Sequence, residues 1–395
     1  MRRTVKIKLS PNNREAIERT ASQFREACQY AVEAGWRDDD LKVCSRKKLH
    51  KMVYDDLREL TELQANLVIR AISRAKEAIK SCVQKLRDGF KATKPYFDSD
   101  SVAHDQRTLT VSLEDERCSI STVDGRVKAD FVLPEEDKEY YQKYLDGSWD
   151  ITQSTIEVHE YEDGEPIYLH LGLEKENEIE EKNDPTVMGI DLGINTLAVA
   201  STGEFYKARQ LFEERKRFEE IRGKLQQKGT RYAHLTIRQM SGRENRFARD
   251  TLHQISKNLV RDAKEHGIDV IAFEDLNRIR AKMPKEKRYH VWCFDKLYQF
   301  VKYKAEEKGI KVVQIDPKNT SRRCSRCGHT EKNNRRKAVF KCKECGYELH
   351  SDYDASKNIG MKYLQTRQKS VSGPGHGQLA LKSGTLKLSG KFTPR

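Results

Sequence analysis

The sequence predicts a multidomain α/β protein, and three patterns in it carry that prediction. Short alternating β runs occupy residues 95–173, strands alternate with long helical stretches from 187 onward, and two Cys-x-x-Cys pairs interrupt the last strand–helix step. At 395 residues the chain has length for two or three domains with real hydrophobic cores.

Residues 4–9 (TVKIKL) alternate as a strand does. After Pro11, the residues Ile17, Ala21, Phe24, Cys28 and Ala31 share one helix face, and Val68, Ile72, Ala75, Ile79 and Cys82 share another. The β runs follow: RTLTVSL (107–113), CSIST (118–122), VKADFVL (127–133), STIEV (154–158) and PIYLHLGL (166–173), separated by turn signals such as Asp124-Gly125. These suit a small antiparallel barrel over 1–10 and 93–183, with the helical segment 11–92 inserted. The charged bridge EKENEIEEKNDP (174–185) closes that module.

Beyond the bridge come VMGID (187–191), TLAVAS (196–201) and EFYKA (204–208), then helical stretches over 209–228 and 231–266 split near Gly229. IDVIAFE (268–274), a helix over 292–308, IKVVQID (310–316) and a last helix from 352 to 365 complete the series. Three strands, helix, strand, helix, strand, helix is the element order of an RNase H-like fold, expected here over 184–366 with the cysteine element inserted at 320–349. Residues 367–395, rich in Gly, Ser and Lys, are expected as a flexible basic tail.

Composition narrows the function. Lys plus Arg (75) exceed Asp plus Glu (61), a surplus of 14 that suits a polyanion such as nucleic acid. No run of about 18 apolar residues exists, which argues against a membrane span. Five cysteines are scattered singly, so a disulfide framework is not expected and a reducing, cytoplasmic setting is. The other four, Cys324, Cys327, Cys342 and Cys345, form two knuckles each followed by Gly. Four soft thiolates at that spacing select one zinc ion, and four protein ligands leave no open position, so the site is expected to be structural.

Two acids end buried strands. Asp191 closes VMGI and Glu274 closes DVIAF, so on parallel neighbours both carboxylates would emerge at one sheet edge. Asp352 opens the last helix. Three converging carboxylates repel unless cations join them, which points to Mg²⁺ and to a pair of ions serving phosphodiester hydrolysis. Each acid also has a plainer use: Asp191 in a turn, Asp352 as an N-cap, and Glu274 at the start of a loop where Asp275 competes with it.

At these residues the chain resembles the TnpB family, insertion-sequence nucleases related to type V CRISPR effectors. MGIDLGINTLAVAS (188–201), IAFEDLNRIR (271–280), YKAEEKGIKVVQIDPKNTSRRCSRCGH (303–329) and CKECGYELHSDYDASKNI (342–359) are similar to its successive signature blocks, and RENRFARDTLHQISKNLV (243–260) to its basic helix. ELQANLVIRAISRAKEA (62–78) and SDSVAHDQRTLTVSL (99–113) resemble its recognition and wedge regions more loosely. The resemblance implies a RuvC nuclease core with a zinc ribbon, a wedge β-barrel and a catalytic triad of Asp191, Glu274 and Asp352. It also implies a guide RNA from the same element, a double-stranded DNA target, and a prokaryotic, nucleoid-associated setting. The family's last block usually reads Asp-x-Asn-Ala-Ala-x-Asn-Ile. Here Asp354 stands at its Asn, so Asp354 remains an alternative to Asp352 as third metal ligand.

Basic residues after Glu274 (Arg278, Arg280, Lys282, Lys285) and on the long helix (Arg243, Arg246) are candidate nucleic-acid contacts. Trp292, Phe294 and Tyr298 read as helix core, and His253 and His290 as structural. Two alternatives to the guided nuclease stand beside it: a non-cutting RNA-guided or zinc-ribbon DNA-binding regulator, and an RNA-independent transposase or resolvase.

Overall fold

The computed structural model describes residues 1–36, 45–87, 91–158, 166–176, 179–276, 288–370 and 377–394. The chain divides into two compact units, Met1–Glu176 and Asn177–Arg395.

The first unit begins with β1 (Arg2–Pro11), α1 (Arg14–Gly35), α2 (Arg46–Leu60) and α3 (Ala65–Arg87). It continues through β2 (Asp100–His104), β3 (Leu109–Ser112), β4 (Arg117–Thr122), β5 (Gly125–Val132), α4 (Lys138–Leu145), β6 (Asp150–Ile151), β7 (Ser154–Val158) and β8 (Ile167–Glu174). The strands form one antiparallel ladder in the order β2-β7-β8-β1-β5-β4-β3, with β6 beside β8. Val5, Ile7 and Leu9 alternate inward along β1, as the sequence pattern requires. The helix stripes behave likewise: Ile17, Ala21, Phe24, Cys28 and Ala31 are buried on α1, and Val68, Ile72, Ala75 and Ile79 on α3.

Strand β1 supplies the centre of the sheet and the helices are inserted after it. The expected barrel is not closed, because β2 and β3 end the ladder without pairing among the described residues. α1 and α3 pack on β2, and an end strand so covered needs no closing partner.

The second unit contains β9 (Thr186–Leu192), β10 (Ala198–Ala200), β11 (Phe205–Tyr206), α5 (Arg209–Lys228), α6 (Arg231–Glu265), β12 (Val270–Glu274), α7 (Arg288–Glu306) and β13 (Lys311–Ile315). Then come the short strands β14 (Arg335–Arg336), β15 (Val339–Lys341) and β16 (Glu348–His350), α8 (Ser351–Ser370), and β17 (Gln378–Leu381), β18 (Gly384–Lys387) and β19 (Phe392–Pro394). β9 is antiparallel to β10, β10 to β11, and β9 is parallel to β12, which is parallel to β13. Strands β9 and β12 are buried almost throughout, which is why they read as unbroken apolar runs.

Gly229, at φ +62°, ends α5 in the left-handed conformation and splits the two long helices where the sequence places the break. α5 and α6 form a hairpin held partly by charge. The buried Glu244 accepts hydrogen bonds from both Arg215 and Arg222, so these two arginines of the basic run face inward. No helix among the described residues is long and apolar enough to cross a membrane.

One expectation fails outright. Residues 367–395 are not a loose tail: α8 runs on to Ser370, and β17–β19 form a meander whose first strand lies parallel to β9, with Gln378 opposite Thr186. Leu379 and Ala380 are buried there, apolar anchors that the surrounding Gly, Ser and Lys concealed.

Candidate active site and zinc centre

The β9–β12 register builds the first half of the site. Phe273 lies opposite Ile190, so one step further along the parallel pair Glu274 stands beside Asp191. β12 ends at Glu274 and β9 one residue past Asp191, at Leu192. The Asp275 N–H still bonds the Ile315 carbonyl of β13 at 2.8 Å.

The second half comes from α8, which crosses β9 at a glycine contact. A Cβ on Gly189 would lie 2.0 Å from the Ser356 carbonyl oxygen and 2.5 Å from the Gly360 nitrogen, closer than any side chain tolerates. This approach brings the first turn of α8, with Asp352, toward the edge that carries Asp191 and Glu274.

The electrostatics report that convergence. Burial pushes the Asp191 carboxyl well above the usual carboxylate range, and the charges of Glu274 and Asp352 push it further, against the Arg335 guanidinium. Glu274 is also raised by burial, opposed by the Thr320 hydroxyl, Lys362 and Arg335. Arg335 binds Asp352 directly, Nη2 to Oδ1 at 2.9 Å.

Arg335 and Thr320 were not singled out among the sequence candidates for the site. Thr320 donates its hydroxyl hydrogen bond to Glu274 Oε1. Nothing in the periodicity marks either residue, because each reaches the site by a long-range contact from a loop or hairpin.

Asp354 occupies a different environment from Asp352. It is fully buried, its Oδ1 accepts the Ser325 N–H at 3.1 Å, and its Oδ2 accepts from Asn358 Nδ2 at 3.0 Å. Both oxygens therefore serve the joint between α8 and the first cysteine knuckle. Asp352 shares the field of Asp191. Asp352→Asn is expected to abolish divalent-metal binding, whereas Asp354→Asn keeps it and lowers thermal stability; a Mn²⁺ titration of each variant checks this. The loss expected for Asp354→Asn is about 1–3 kcal/mol, because an amide would face the Asn358 amide donor to donor.

The four cysteines meet as expected. Among the described residues they are the one set of potential metal ligands whose ligand atoms all lie within 4.8 Å of one another. Cys324 and Cys345 sulfurs are 3.8 Å apart and those of Cys327 and Cys342 3.5 Å. Four Zn–S bonds of about 2.3 Å in a tetrahedron require edges of about 3.8 Å, so zinc fits. β14–β16 make the ribbon sheet, with Phe340 buried against the cysteines. Removing the metal with a strong chelator is expected to unfold the ribbon and, through Thr320 and Arg335, abolish catalysis; zinc content and limited proteolysis would report the unfolding.

Arg335 is paired with one of the three carboxylates, Asp352. Their chemistry still fits a hard divalent cation: oxygen donors only, partly desolvated, and with like charges raising Asp191.

Of the proposed nucleic-acid contacts, Arg243 and Arg246 lie exposed on α6. Arg278, Arg280, Lys282 and Lys285 fall outside the described residues, as does the side chain of His290. Phe294 is buried and Tyr298 meets Phe273 edge-on, so the aromatic stripe of α7 is core. His253 stacks on Phe300 at 3.8 Å between ring centroids, a structural role.

Two family models match the chain. Residues 170–280 match the IS605 OrfB family, described as probable transposase, and residues 294–359 match the Cas12f1-like TNB domain. Asp191 and Glu274 lie in the first match; the four cysteines and Asp352 lie in the second. The chain is 32% identical over 242 residues to the CRISPR-associated endodeoxyribonuclease Cas12f1 of Sulfoacidibacillus thermotolerans, covering 57% of this chain and 56% of that protein. It is 33% identical over 166 residues to a TnpB-like protein of Methanocaldococcus jannaschii, covering 40% and 58%.

The chain is a relative of the TnpB-like and Cas12f1 proteins. The matched span is little more than half the length of these two TnpB-like and Cas12f1 relatives. A solved Cas12f1–sgRNA–target DNA complex shares the fold, with a TM-score of 0.55 at 14% identity over 91% of this chain and 98% of that one.

Proposed function

We propose that the protein is an RNA-guided DNA endonuclease of a transposable element, cutting phosphodiesters at an RNase H-like, RuvC-type site formed by Asp191, Glu274 and Asp352. The observation that carries this reading is the register that sets Glu274 beside Asp191, in the electrostatic field of Asp352. Names of relatives support the activity: one is a CRISPR-associated endodeoxyribonuclease, another a putative RNA-guided DNA endonuclease of Escherichia coli.

Asp191, Glu274 and Asp352 would hold Mg²⁺, two ions in the fullest form of the site, and the metal would supply an activated water and charge stabilisation for the leaving oxygen. The side chains do the rest. Asp191, fixed on a central strand, gives the site a rigid oxygen. Glu274 is aimed by Thr320, and Asp352 is held by Arg335 until a metal cation competes for the carboxylate or a phosphate for the guanidinium. The zinc ribbon is scaffolding for these last two contacts.

In the first unit, a cleft of about 580 Å³ lined by Arg46, Asn66, Arg70, Gln106, Arg107 and Gln153, with Asp105 holding Arg70, offers cations and amides suited to phosphates and base edges. The exposed arginines of α6 add a second basic surface. Both belong to the part of the proposal that requires a guide RNA and a duplex target, with pairing supplying the specificity.

Plasmid cleavage in Mg²⁺ by protein purified with its bound RNA tests the reading. A discrete co-purifying RNA with a variable end, and cutting directed by that end, is the expected result. Cutting that survives complete RNA removal would favour a transposase or resolvase, and guided binding without cutting would favour a regulator.

A further inference from the structure

We propose that Thr320 is a positioning residue for Glu274: its hydroxyl fixes the carboxylate in its metal-binding orientation, and the zinc ribbon and α8 fix Thr320. The inference rests on reading the three carboxylates as a divalent-metal site.

Glu274 is the last residue of β12, followed by one more bond to β13, from the Asp275 N–H to the Ile315 carbonyl. A glutamate there has three side-chain torsions that the backbone ladder does not fix. Thr320 supplies the restraint from the loop after β13. Its hydroxyl donates to Glu274 Oε1, with the Pro317 carbonyl as a second acceptor at 2.9 Å. One hydroxyl has one proton, and a charged carboxylate outcompetes a neutral carbonyl for it.

Thr320 is itself held rigidly. It is 4% exposed, and its carbonyl accepts Asn358 Nδ2 of α8 at 3.0 Å. The same amide, whose two hydrogens are shared with Asp354 as a third acceptor, also reaches the Arg323 carbonyl at 2.6 Å, immediately before the first zinc-ligand cysteine, and Arg323 Nη1 returns a bond to Asn358 Oδ1 at 3.2 Å. Asn319, at φ +68°, takes the left-handed turn that presents Thr320 to the strand end, a conformation asparagine tolerates better than most residues. The chain from cysteine knuckle to metal-site carboxylate is thus four residues of backbone pinned by one asparagine.

Hydrogen-bond partners of metal-binding carboxylates govern affinity, and losing one weakens metal binding by about 10–100-fold. The experiment is a Mn²⁺ titration of the zinc-loaded, full-length protein, followed by calorimetry, for the wild type and for Thr320→Val, Thr320→Ala and Thr320→Ser. Val matches threonine in shape, and Ala and Ser differ by the hydroxyl alone, which keeps the comparison valid if Val perturbs folding.

The expected result is Mn²⁺ affinity lowered about 10–100-fold in Val and Ala and kept within a few-fold in Ser, with zinc content unchanged. Equal affinity in Ala and Ser would overturn the proposal while leaving the metal site standing. Asp191→Asn separates the two levels: if the wild type binds no Mn²⁺ that Asp191→Asn removes, the metal-site reading fails and Thr320 loses its role with it.

Discussion

Asp191→Asn is expected to abolish cleavage, by roughly 10³-fold or more, and at the same time to raise the melting temperature of the protein stripped of divalent cations. Both effects come from one fact of placement. Asp191 is buried at the end of a central strand with its carboxyl raised well above the ordinary range by burial and by two neighbouring acids.

In the unfolded chain the same carboxyl titrates near about 3.9. Between that value and the raised folded one, the native state binds more protons than the unfolded state, so stability falls as pH rises through the window. The destabilisation builds up from the unfolded value to the raised folded one, and asparagine removes it. Each kcal/mol recovered is worth roughly 2–4 °C for a domain of this size. Thermal melts of both proteins with and without Mg²⁺ check the prediction: the advantage of the variant should shrink as pH falls toward about 4, vanish below it, and reverse when Mg²⁺ stabilises only the wild type. RNA and DNA binding should be nearly unchanged, since Asp191 faces the metal site and not the basic surfaces.

Gly189→Ala is the second large effect. The methyl group would sit 2.0 Å from the Ser356 carbonyl oxygen and 2.5 Å from the Gly360 nitrogen, both backbone atoms that cannot rotate away. Ordinary contact needs about 3.5 Å, so α8 must retreat by about 1 Å or more. Overpacking of this kind costs about 1–3 kcal/mol of stability.

The functional loss should be larger than the structural one. Asp352 rides on α8, and a misplacement of about 1 Å at a reacting group can cost about 100-fold in rate. Cleavage assays under conditions where the variant is fully folded should show that loss with zinc still bound. An active Gly189→Ala enzyme would mean that the position of α8 does not set the geometry of the site.

The sequence was most legible where one local rule dominates. VMGID and DVIAFE read as buried parallel strands because both faces are covered, and each ends on an acid, so Asp191 and Glu274 stood out at once. The cysteine spacing needed no tertiary information at all. α2 has a weaker signal: Leu49, Val53 and Leu57 repeat every four residues among many basic ones.

The strands after α8 were misread for a related reason. Their apolar positions are few, and Gly, Ser and Lys between them resemble a linker, although Leu379 and Ala380 anchor the sheet. Closure of the β module was overestimated because local alternation says nothing about which strands end a sheet.

Residues acting at a distance left no local trace. Asp352 and Asp354 are indistinguishable by composition, and only their partners separate them: Arg335 for one, Ser325 and Asn358 for the other. Arg335 and Thr320 likewise carry no local mark and are identified by their long-range contacts alone.

The carboxylate convergence at the end of β9 and β12 is tested most directly by soaking crystals of the protein in Mn²⁺ and locating the metal by anomalous scattering. The expected map places manganese within bonding distance of Asp191, Glu274 and Asp352, with Arg335 displaced from Asp352 and zinc alone at the cysteines. Manganese bound at Asp354, or absent from this sheet edge at saturating concentration, would contradict the assignment of the nuclease site.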